Sequence, residues 1–222
     1  MLIVNFKNYP QVLGDKDVAL AKELELVARE FPQLKVVFAV SPLDIHQVAG
    51  AVGLPVYSQH VDPAGVGQTT GHIAPESARA AGALGTLVNH SDHPLEPGAM
   101  VQTVSQCREV GLVTVVCVSS VEELRGSLET APDFLAYEPP ELIGGEISVT
   151  SAQPEIIAEA VSAAGETPLL VGAGIHSGED VRVALSLGAV GVLVSSAIVL
   201  ADDPAREFRD IAQGFSASAL QE

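Results

Sequence analysis

The sequence predicts an α/β fold in which eight parallel strands close into a (β/α)8 barrel. Eight short apolar runs recur along the 222 residues, and a helical pattern follows each of them; such alternation is typical of a parallel sheet. The runs are continuously apolar rather than alternating, which indicates strands that are buried on both faces. An open, doubly wound sheet is the alternative. No linker or low-complexity tract divides the chain, so we expect residues 1–222 to form one compact domain.

The predicted strands are short runs rich in valine, leucine and isoleucine. We expect them at 2–6, 36–40, 56–58, 85–88, 113–118, 134–137, 169–171 and 190–194. Helical patterns are expected at 17–30, from 43, from 75, at 96–110, 121–128, 154–164, 178–187 and 204–214. Barrels of this type usually have about 250 residues. This shorter chain must therefore have short helices, and those near Pro75 and Val121 are the ones we expect to be reduced.

The composition favours a folded protein of the cytoplasm. Hydrophobic residues make up 47% of the chain, enough for a full core, and no apolar run is long enough to span a membrane. The N-terminus lacks a basic region before its apolar part, so it is interpreted as a first strand rather than a signal peptide. Two cysteines without a CxxC spacing, Cys107 and Cys117, indicate neither a structural disulfide nor a zinc site.

The charge is strongly acidic. The chain has 11 Lys+Arg against 28 Asp+Glu, a formal net charge of -17. Such a surface repels nucleic acid and anionic lipid, so neither is an expected partner. Acidity with few lysines and few aromatic residues favours a protein adapted to a high-salt cytoplasm, where ions screen self-repulsion. An ordinary acidic protein is the alternative interpretation.

The segment around Glu138 is the most informative stretch. An apolar run ends abruptly in this acid, and Pro139 and Pro140 then prevent further regular strand pairing. Glu138 is therefore predicted at the C-terminal end of a buried strand, where catalytic groups project in a barrel. The stiff loop that follows runs to Gly144-Gly145 and is a candidate lid. The plainer explanation is a solvated strand terminus or an ion-pair partner.

Other polar groups follow other predicted strands. Lys7, His90 and the pair Ser195-Ser196 would meet Glu138 on one face of a closed barrel. Asn5 and Lys7 alternate with Phe6, so both point to the same side of the first strand. Each group also has an ordinary explanation, such as a solvated lysine or a structural histidine. We expect ordinary structural or exposed roles for the remaining histidines: His46, His60, His72, His93 and His176.

A glycine-rich loop follows the seventh strand. The stretch 172–178 resembles a dinucleotide loop only superficially, because its third glycine comes one position too late and it does not follow an N-terminal strand. Taken alone, it is best explained as a strand-to-helix turn. In a barrel, however, the loops after strands seven and eight commonly bind phosphate. Backbone amides of Gly174, Ser195 and Ser196 could then hold a phosphate without a basic side chain.

Taken together, these motifs resemble the triosephosphate isomerase family, in particular its shorter archaeal type. The matching segments lie in the expected order along the whole chain: 4–7, 59–63, 70–72, 87–91, 138–144, 172–175 and 191–196. Several of them together make a specific match, whereas any one alone does not. The resemblance implies a TIM barrel that interconverts dihydroxyacetone phosphate and glyceraldehyde 3-phosphate through an enediolate. It implies no cofactor and no metal.

The resemblance also implies roles for individual residues. Glu138 would be the base, His90 the neutral electrophile and Lys7 the group that stabilises developing negative charge. Asn5 would position the substrate, with Phe6 beside it. The remaining implied substrate-binding residues serve the phosphate group, largely through main-chain amides: Ile143, Gly144, Gly174, Ser195 and Ser196. Residues 139–145 would form the closing lid.

Some positions depart from the family pattern. Asp92 stands where the family typically has a glutamate, so it keeps the charge with a shorter reach. His93-Pro94 replaces a more basic or polar pair, Gly144-Gly145 lacks an intervening threonine, and Ser195-Ser196 replaces Ala-Ser. None of these changes removes the implied base, electrophile, lysine or asparagine.

Two alternative functions explain part of the pattern. Another phosphate-binding barrel enzyme, such as a pentose-phosphate epimerase, would account for the loops after strands seven and eight. It would not explain why Asn5 and Lys7, His90 and Glu138 occur together. A non-catalytic phosphosugar-binding barrel would tolerate the loss of a catalytic group, and none is missing here. The long loop 62–71 is expected to reach a second copy of the chain, because the resemblance implies a homo-oligomer, with a tetramer favoured over a dimer.

Overall fold

The fold is a closed barrel of eight parallel strands. The computed structural model describes residues 1–139 and 154–216. Each strand pairs with its neighbours in chain order, and β1 pairs with β8 to close the ring. The strands are β1 Leu2–Asn5, β2 Val36–Val40, β3 Val56–Ser58, β4 Gly85–Val88, β5 Val113–Val118, β6 Phe134–Tyr137, β7 Leu169–Val171 and β8 Gly191–Val194. Closure confirms the barrel prediction and eliminates the open sheet.

Helices follow the strands and cover the outside of the barrel. They are α1 Lys16–Ala28, α2 Ile45–Ala51, α3 Pro75–Ala81, α4 Pro97–Glu109, α5 Val121–Ser127, α6 Pro154–Ala164, α7 Gly178–Ser186, α8 Ser196–Val199 and α9 Pro204–Ser216. The helices α3 and α5 have only 7 residues each, as the chain length required. The four-residue α8 was not predicted, because it is too short to show a helical pattern after β8.

Two apolar layers explain why the strands read as continuous apolar runs. One layer fills the barrel interior and the other packs between the strands and the helices. Successive residues of a strand point to opposite faces, so both sets must be apolar. The interior layer consists of Ile3, Val37, Ala39, Tyr57, Leu87, Val115, Cys117, Ala136, Leu170 and Leu193. With its interior filled, the barrel is a packed core, and open space for a ligand is left at its ends.

In the described ranges 1–139 and 154–216, no helix combines the length and the apolar character that crossing a bilayer requires.

The tightest point of the interior is the pair Tyr57 and Gly85. Tyr57 is 2% exposed and lies in register with Gly85 on the neighbouring strand. A Cβ atom added to Gly85 would lie 2.6 Å from the Val113 carbonyl oxygen and 2.7 Å from the Tyr57 ring. Glycine at this position therefore makes room for the tyrosine.

We predict that Gly85→Ala lowers the free energy of unfolding by about 1–3 kcal/mol, because the new methyl group has no space. Urea unfolding followed by circular dichroism measures the change. Gly126→Ala is the matched control, since a Cβ atom there meets nothing within 4 Å. The control should be neutral or stabilising by roughly 0.5–1 kcal/mol in helix α5. Equal stability of Gly85→Ala and the parent chain would contradict the packing argument.

Candidate active site

Polar side chains converge at the C-terminal ends of the strands. Asn5, His90 and Glu138 come from β1 and from the residues after β4 and β6, and they are only 3%, 6% and 4% exposed. They share one cavity with Lys7. Burying three polar groups together costs free energy unless they interact with one another or with a ligand. The place where the barrel accepts this cost is the candidate site.

The backbone at Lys7 turns its side chain toward the site. Lys7 has a positive φ of 50°, which ends the first strand one residue earlier than predicted. Its N–H donates to the Asn5 Oδ1 atom at 3.0 Å, which holds the turn. The Lys7 ammonium group lies 2.9 Å from the Asp92 Oδ2 atom. A non-glycine residue with this φ is uncommon and is often found at functional positions.

A backbone hydrogen bond fixes the tautomer of His90. The Asp92 N–H donates to the His90 Nδ1 atom at 3.0 Å, so Nδ1 carries no proton. The ring is then neutral, and its proton is assigned to Nε2. Nε2 lies 3.6 Å from the Glu138 Oε2 atom and 3.5 Å from the Asn5 Nδ2 atom. The distance to Glu138 is long for a hydrogen bond, and Asn5 Nδ2 is itself a donor, so the Nε2–H is available to a ligand.

Glu138 is a buried carboxyl group beside this ring. Burial raises its pKa above the ordinary value of 4.5, and the opposing effects of His90, of a hydrogen bond with Cys117 and of Lys7 do not cancel the rise. Among the described residues, no hydrogen-bond partner contacts its Oε2 atom. A buried acceptor without a partner is expected where a substrate supplies the missing contact. Raised carboxyl pKa values are typical of catalytic bases.

The loop after β7 makes room for Glu138. A Cβ atom on Gly172 would lie 2.5 Å from the Glu138 Cγ atom. The Gly172 N–H donates to the Tyr137 carbonyl at 2.9 Å, and the Glu138 N–H donates to the Val118 carbonyl at 2.8 Å. The backbone on either side of the carboxylate is thus held by the strands that flank β6.

The other end of the same cavity is made by the loops after β7 and β8. Gly174, with φ of 63°, lies in the first loop, and Ser195 and Ser196 lie at the start of α8. The Ser195 hydroxyl is buried, and no partner for it is found within the described part of the chain. Predicted catalytic and phosphate-binding residues therefore line one continuous space.

The comparisons with known proteins agree with this geometry. A family model described as triosephosphate isomerase matches residues 1–215. A triosephosphate isomerase of Thermoplasma volcanium is 41% identical over 212 residues, covering 95% of this chain and 98% of the relative. One from Saccharolobus solfataricus is 38% identical over 224 residues, covering 100% and 96%.

The chain belongs to the triosephosphate isomerase family. This membership confirms the archaeal-type resemblance inferred from the sequence motifs. A solved triosephosphate isomerase structure from Bartonella henselae superposes with a TM-score of 0.75 over 97% of this chain and 98% of its own. Its sequence identity is only 19%, so this likeness supports the barrel fold alone.

The structure brings most of the predicted site residues of this family member together. Asn5, Lys7, His90, Glu138, Gly174, Ser195 and Ser196 line the same cavity. The Phe6 side chain does not reach it: it is 1% exposed and packs on Phe38, with ring centroids 5.5 Å apart. Because side chains alternate along a strand, Phe6 faces the helices whereas Asn5 faces the interior. Ile143, Gly144 and all but the first residue of the lid 139–145 lie outside the described residues.

Two residues that line the cavity were missed by the sequence analysis. Tyr9 follows the turn at Lys7, and His176 lies in the glycine-rich loop after β7. The sequence predicted an ordinary structural or exposed role for His176. Its place four residues after Gly172, in a loop already suspected of binding phosphate, was the signal that could have identified it.

Asp92 takes up the charge of Lys7. Burial alone would raise the pKa of Asp92, but the hydrogen bond and the charge of Lys7 lower it below its ordinary value. The aspartate therefore reaches the lysine despite its shorter side chain, and its backbone reaches the His90 ring. Asp92 therefore orients both Lys7 and His90.

We predict that Glu138→Gln is more stable than the parent chain at pH 8 and that this gain shrinks as the pH falls. The folded pKa of Glu138 is raised, so its ionised form is the destabilised one above that pKa. Protonation of Glu138 removes the cost of its buried charge. Below the ordinary pKa of 4.5, the difference in unfolding free energy between Glu138→Gln and the parent chain should therefore be constant. Urea unfolding at a series of pH values measures it, with the exposed Glu109→Gln as control. A gain that grows toward acid pH would show that the sign is wrong.

Proposed function

We propose that this chain interconverts dihydroxyacetone phosphate and D-glyceraldehyde 3-phosphate, with Glu138 as the base that moves the proton between the two carbon atoms. Family membership supports the reaction. The position of Glu138 supports its role, because a buried carboxylate with a raised pKa and an uncontacted oxygen is a strong proton acceptor. The reaction belongs to glycolysis and gluconeogenesis, and the proposal includes a cytoplasmic location and a single catalytic domain.

In this proposal His90 polarises the substrate carbonyl through its Nε2–H. The observation that carries the proposal is the Asp92 N–H bond to the His90 Nδ1 atom, because it requires a neutral ring with its proton on the side of Glu138. A neutral imidazole that donates beside a carboxylate base is a pairing for which triosephosphate isomerases are the standard example. Proton transfer next to a carbonyl group needs both a base and a group that polarises the carbonyl.

Lys7 stabilises the enediolate charge. Lys7 is the one lysine or arginine among the described residues that line the cavity. Its ammonium group is held by Asp92, and its side chain is only 17% exposed. A cation in a partly dry site acts more strongly on developing negative charge than one in water. Asn5 positions the substrate from the same strand, since its side chain contacts both the Lys7 turn and the His90 ring.

The phosphate group is held mainly by main-chain amides in this proposal. Gly174, Ser195 and Ser196 line the end of the cavity away from β4, and backbone N–H groups bind phosphate without a basic side chain. Ile143 and Gly144 complete the set, and residues 139–145 close over the substrate as a lid. Excluding water protects the phosphorylated enediolate from side reactions. Neither cofactor nor metal takes part in these steps.

We predict that Glu138→Gln lowers kcat by about 100-fold to 10,000-fold, because the amide cannot accept the proton. Purified protein is mixed with glyceraldehyde 3-phosphate in high-salt buffer, and formation of dihydroxyacetone phosphate is followed. Inorganic phosphate should still inhibit or bind with an unchanged constant, since the phosphate end is intact. Glu109→Gln, which changes an exposed glutamate, should keep full activity. A folded wild-type chain without conversion at any salt concentration would overturn the proposed function.

We further propose that the chain works as a homo-oligomer, with a tetramer favoured over a dimer. A second cavity of about 570 Å³ opens beside the first and shares Asn5, Lys7, Tyr9 and His90 with it. Its outer wall contains Pro42, and next to it Leu43 is 91% exposed. The loop 62–72 carries Val66, which is 69% exposed. Exposed apolar side chains on these loops, beside a cavity, fit a contact between copies of the chain.

We predict that Val66→Asp shifts the chain toward monomers, because a charge on the loop cannot enter an apolar contact. Sedimentation velocity over a range of salt concentrations measures the assembly state. Leu26→Asp is the matched control, since Leu26 is 63% exposed on helix α1. It should leave assembly unchanged. A wild-type chain that sediments as a monomer at every salt concentration would contradict the oligomer proposal.

A further inference from the structure

We propose that Glu123, on helix α5, is a positioning residue that holds His90 in place opposite Glu138. Glu123 lines a cavity of about 260 Å³ that shares Glu138, and no other residue, with the substrate cavity. Glu123 acts through its hydrogen bonds with Asn89 and Ser119. The inference rests on the proposed function, because it assigns Glu123 a part in the isomerase reaction.

The residue before His90 is the first link. Asn89 is 7% exposed and has a positive φ of 60°. Asparagine tolerates this conformation better than most residues, but it is still uncommon and needs support from its surroundings. The turn directs the chain from β4 into the loop that bears His90. Any change in the conformation of Asn89 therefore rotates the His90 side chain.

The Asn89 side chain uses its hydrogen-bonding groups in three directions. Its Nδ2 atom donates to the Cys117 carbonyl at 2.9 Å and to the Glu123 Oε1 atom at 2.8 Å. Its Oδ1 atom accepts from the Leu95 N–H at 2.8 Å. The last bond closes the loop 89–95, which contains both His90 and Asp92. Asn89 thus ties the loop to itself and to the neighbouring strand.

Glu123 anchors this arrangement to the end of β5. Its Oε2 atom accepts from the Ser119 N–H at 2.7 Å and from the Ser119 hydroxyl at 2.6 Å. Hydrogen bonds to an ionised carboxylate are stronger than those between neutral groups. The Glu123 N–H in turn donates to the Ser120 hydroxyl at 3.1 Å, which caps the helix. The carboxylate is therefore held at both oxygens and has little freedom to move.

The hydrogen bonds from Asn89 through Glu123 to Ser119 connect strands on which the catalytic geometry depends. Asn89 follows β4, while Cys117 and Ser119 lie at the end of β5, and the Cys117 thiol hydrogen-bonds to Glu138. A displacement of about 1 Å between reacting groups can cost on the order of 100-fold in rate. His90 follows β4 and Glu138 follows β6, on either side of β5, and they lie 3.6 Å apart. Glu123 joins the ends of β4 and β5, on the His90 side of this pair.

An ordinary structural explanation for Glu123 is its place at a helix N-terminus, where acidic residues are favourable. Glu122 shares that place, since both lie in the first turn of α5. Glu122 is exposed, whereas Glu123 is half-buried and bonded to Asn89. Substituting each glutamate in turn therefore distinguishes an effect on the stability of helix α5 from an effect on the loop that bears His90.

The test compares Glu123→Gln with Glu122→Gln in the full-length chain. Glutamine has one oxygen, so it cannot accept from Asn89 on one side and from Ser119 on the other. We expect Glu123→Gln to lower kcat about 10-fold to 100-fold through misplacement of His90. KM and the inhibition constant of inorganic phosphate should change by less than about threefold, since ground-state binding is intact. Ser119→Ala should give a smaller loss of the same kind, and Glu122→Gln should match the wild type.

The histidine nitrogen resonances provide a second measurement. In the ¹⁵N-labelled protein, the Nδ1 and Nε2 signals of His90, assigned with His90→Gln, report the tautomer and its hydrogen bonds. We expect Glu123→Gln to shift or broaden both signals, and Glu122→Gln to leave them in place. Circular dichroism and the thermal midpoint establish that each variant is folded before rates are compared.

The outcomes separate this inference from the function on which it rests. An inactive, folded wild-type chain would overturn the proposed function and the inference with it. An active wild type together with equal kcat values and unshifted His90 signals for both glutamine variants would overturn the inference alone. A lower thermal midpoint for Glu123→Gln with unchanged kcat would also overturn it, because the role would then be structural. If Glu123→Gln fails to fold, Ser119→Ala decides by the same criteria.

Discussion

Closure of the eight strands is the constraint on which the site depends. In a parallel barrel every strand ends on the same side, so residues far apart in the chain arrive at one rim. Asn5, His90, Glu138 and Ser195 come from four different strand ends and line one cavity. The interior below them is filled by apolar side chains, including Tyr57, which leaves open space for a substrate only at the rim. The packed interior thus supplies a rigid base for the site.

The rim of the barrel buries polar groups at a cost in stability. The carboxylate of Glu138 is buried and has a raised pKa, and both Glu138 Oε2 and Ser195 Oγ are without partners among the described residues. Among the described residues, three other buried side-chain atoms also lack a hydrogen-bond partner, but they lie on the helices α3 and α4: Glu76 Oε2, Thr103 Oγ1 and Gln106 Oε1. Other buried polar groups are paired, as Thr114 is with Asp133 at 2.9 Å. These unpaired groups lower the stability of the fold, but a substrate can supply their missing contacts. The site therefore favours contacts with the reacting substrate over contacts among its own side chains.

Charge is arranged differently at the surface and in the site. The chain carries a formal net charge of -17, yet its substrate is an anion in the proposed reaction. Within the cavity Lys7 is the one described lysine or arginine, and Asp92 neutralises part of its charge while holding it in place. Recognition of the phosphate by backbone amides therefore fits this protein well, because it needs no additional basic side chains on a strongly acidic molecule.

The strand and helix pattern could be predicted closely from the sequence because both faces of each strand are buried. The apolar runs and the proline and glycine signals gave nearly the observed bounds, including the short helices α3 and α5. The exceptions have local causes. β1 ends at Asn5 because Lys7 adopts a positive φ, and α8, with four residues, is too short to show a helical pattern.

The identities of the candidate catalytic residues were also available from the sequence, because each one interrupts an apolar run at a strand end. Their relations to one another were decided only by the tertiary structure. The tautomer of His90 depends on the backbone N–H of Asp92, and the environment of Glu138 depends on Gly172 and Cys117 from neighbouring strands. That His176 lines the cavity and the Phe6 side chain does not could not be foreseen for the same reason: which side chains share a cavity depends on long-range register. Sequence alone determined which groups reach the rim, and folding decided their distances, protonation and partners, since these arise from contacts between segments distant in the chain.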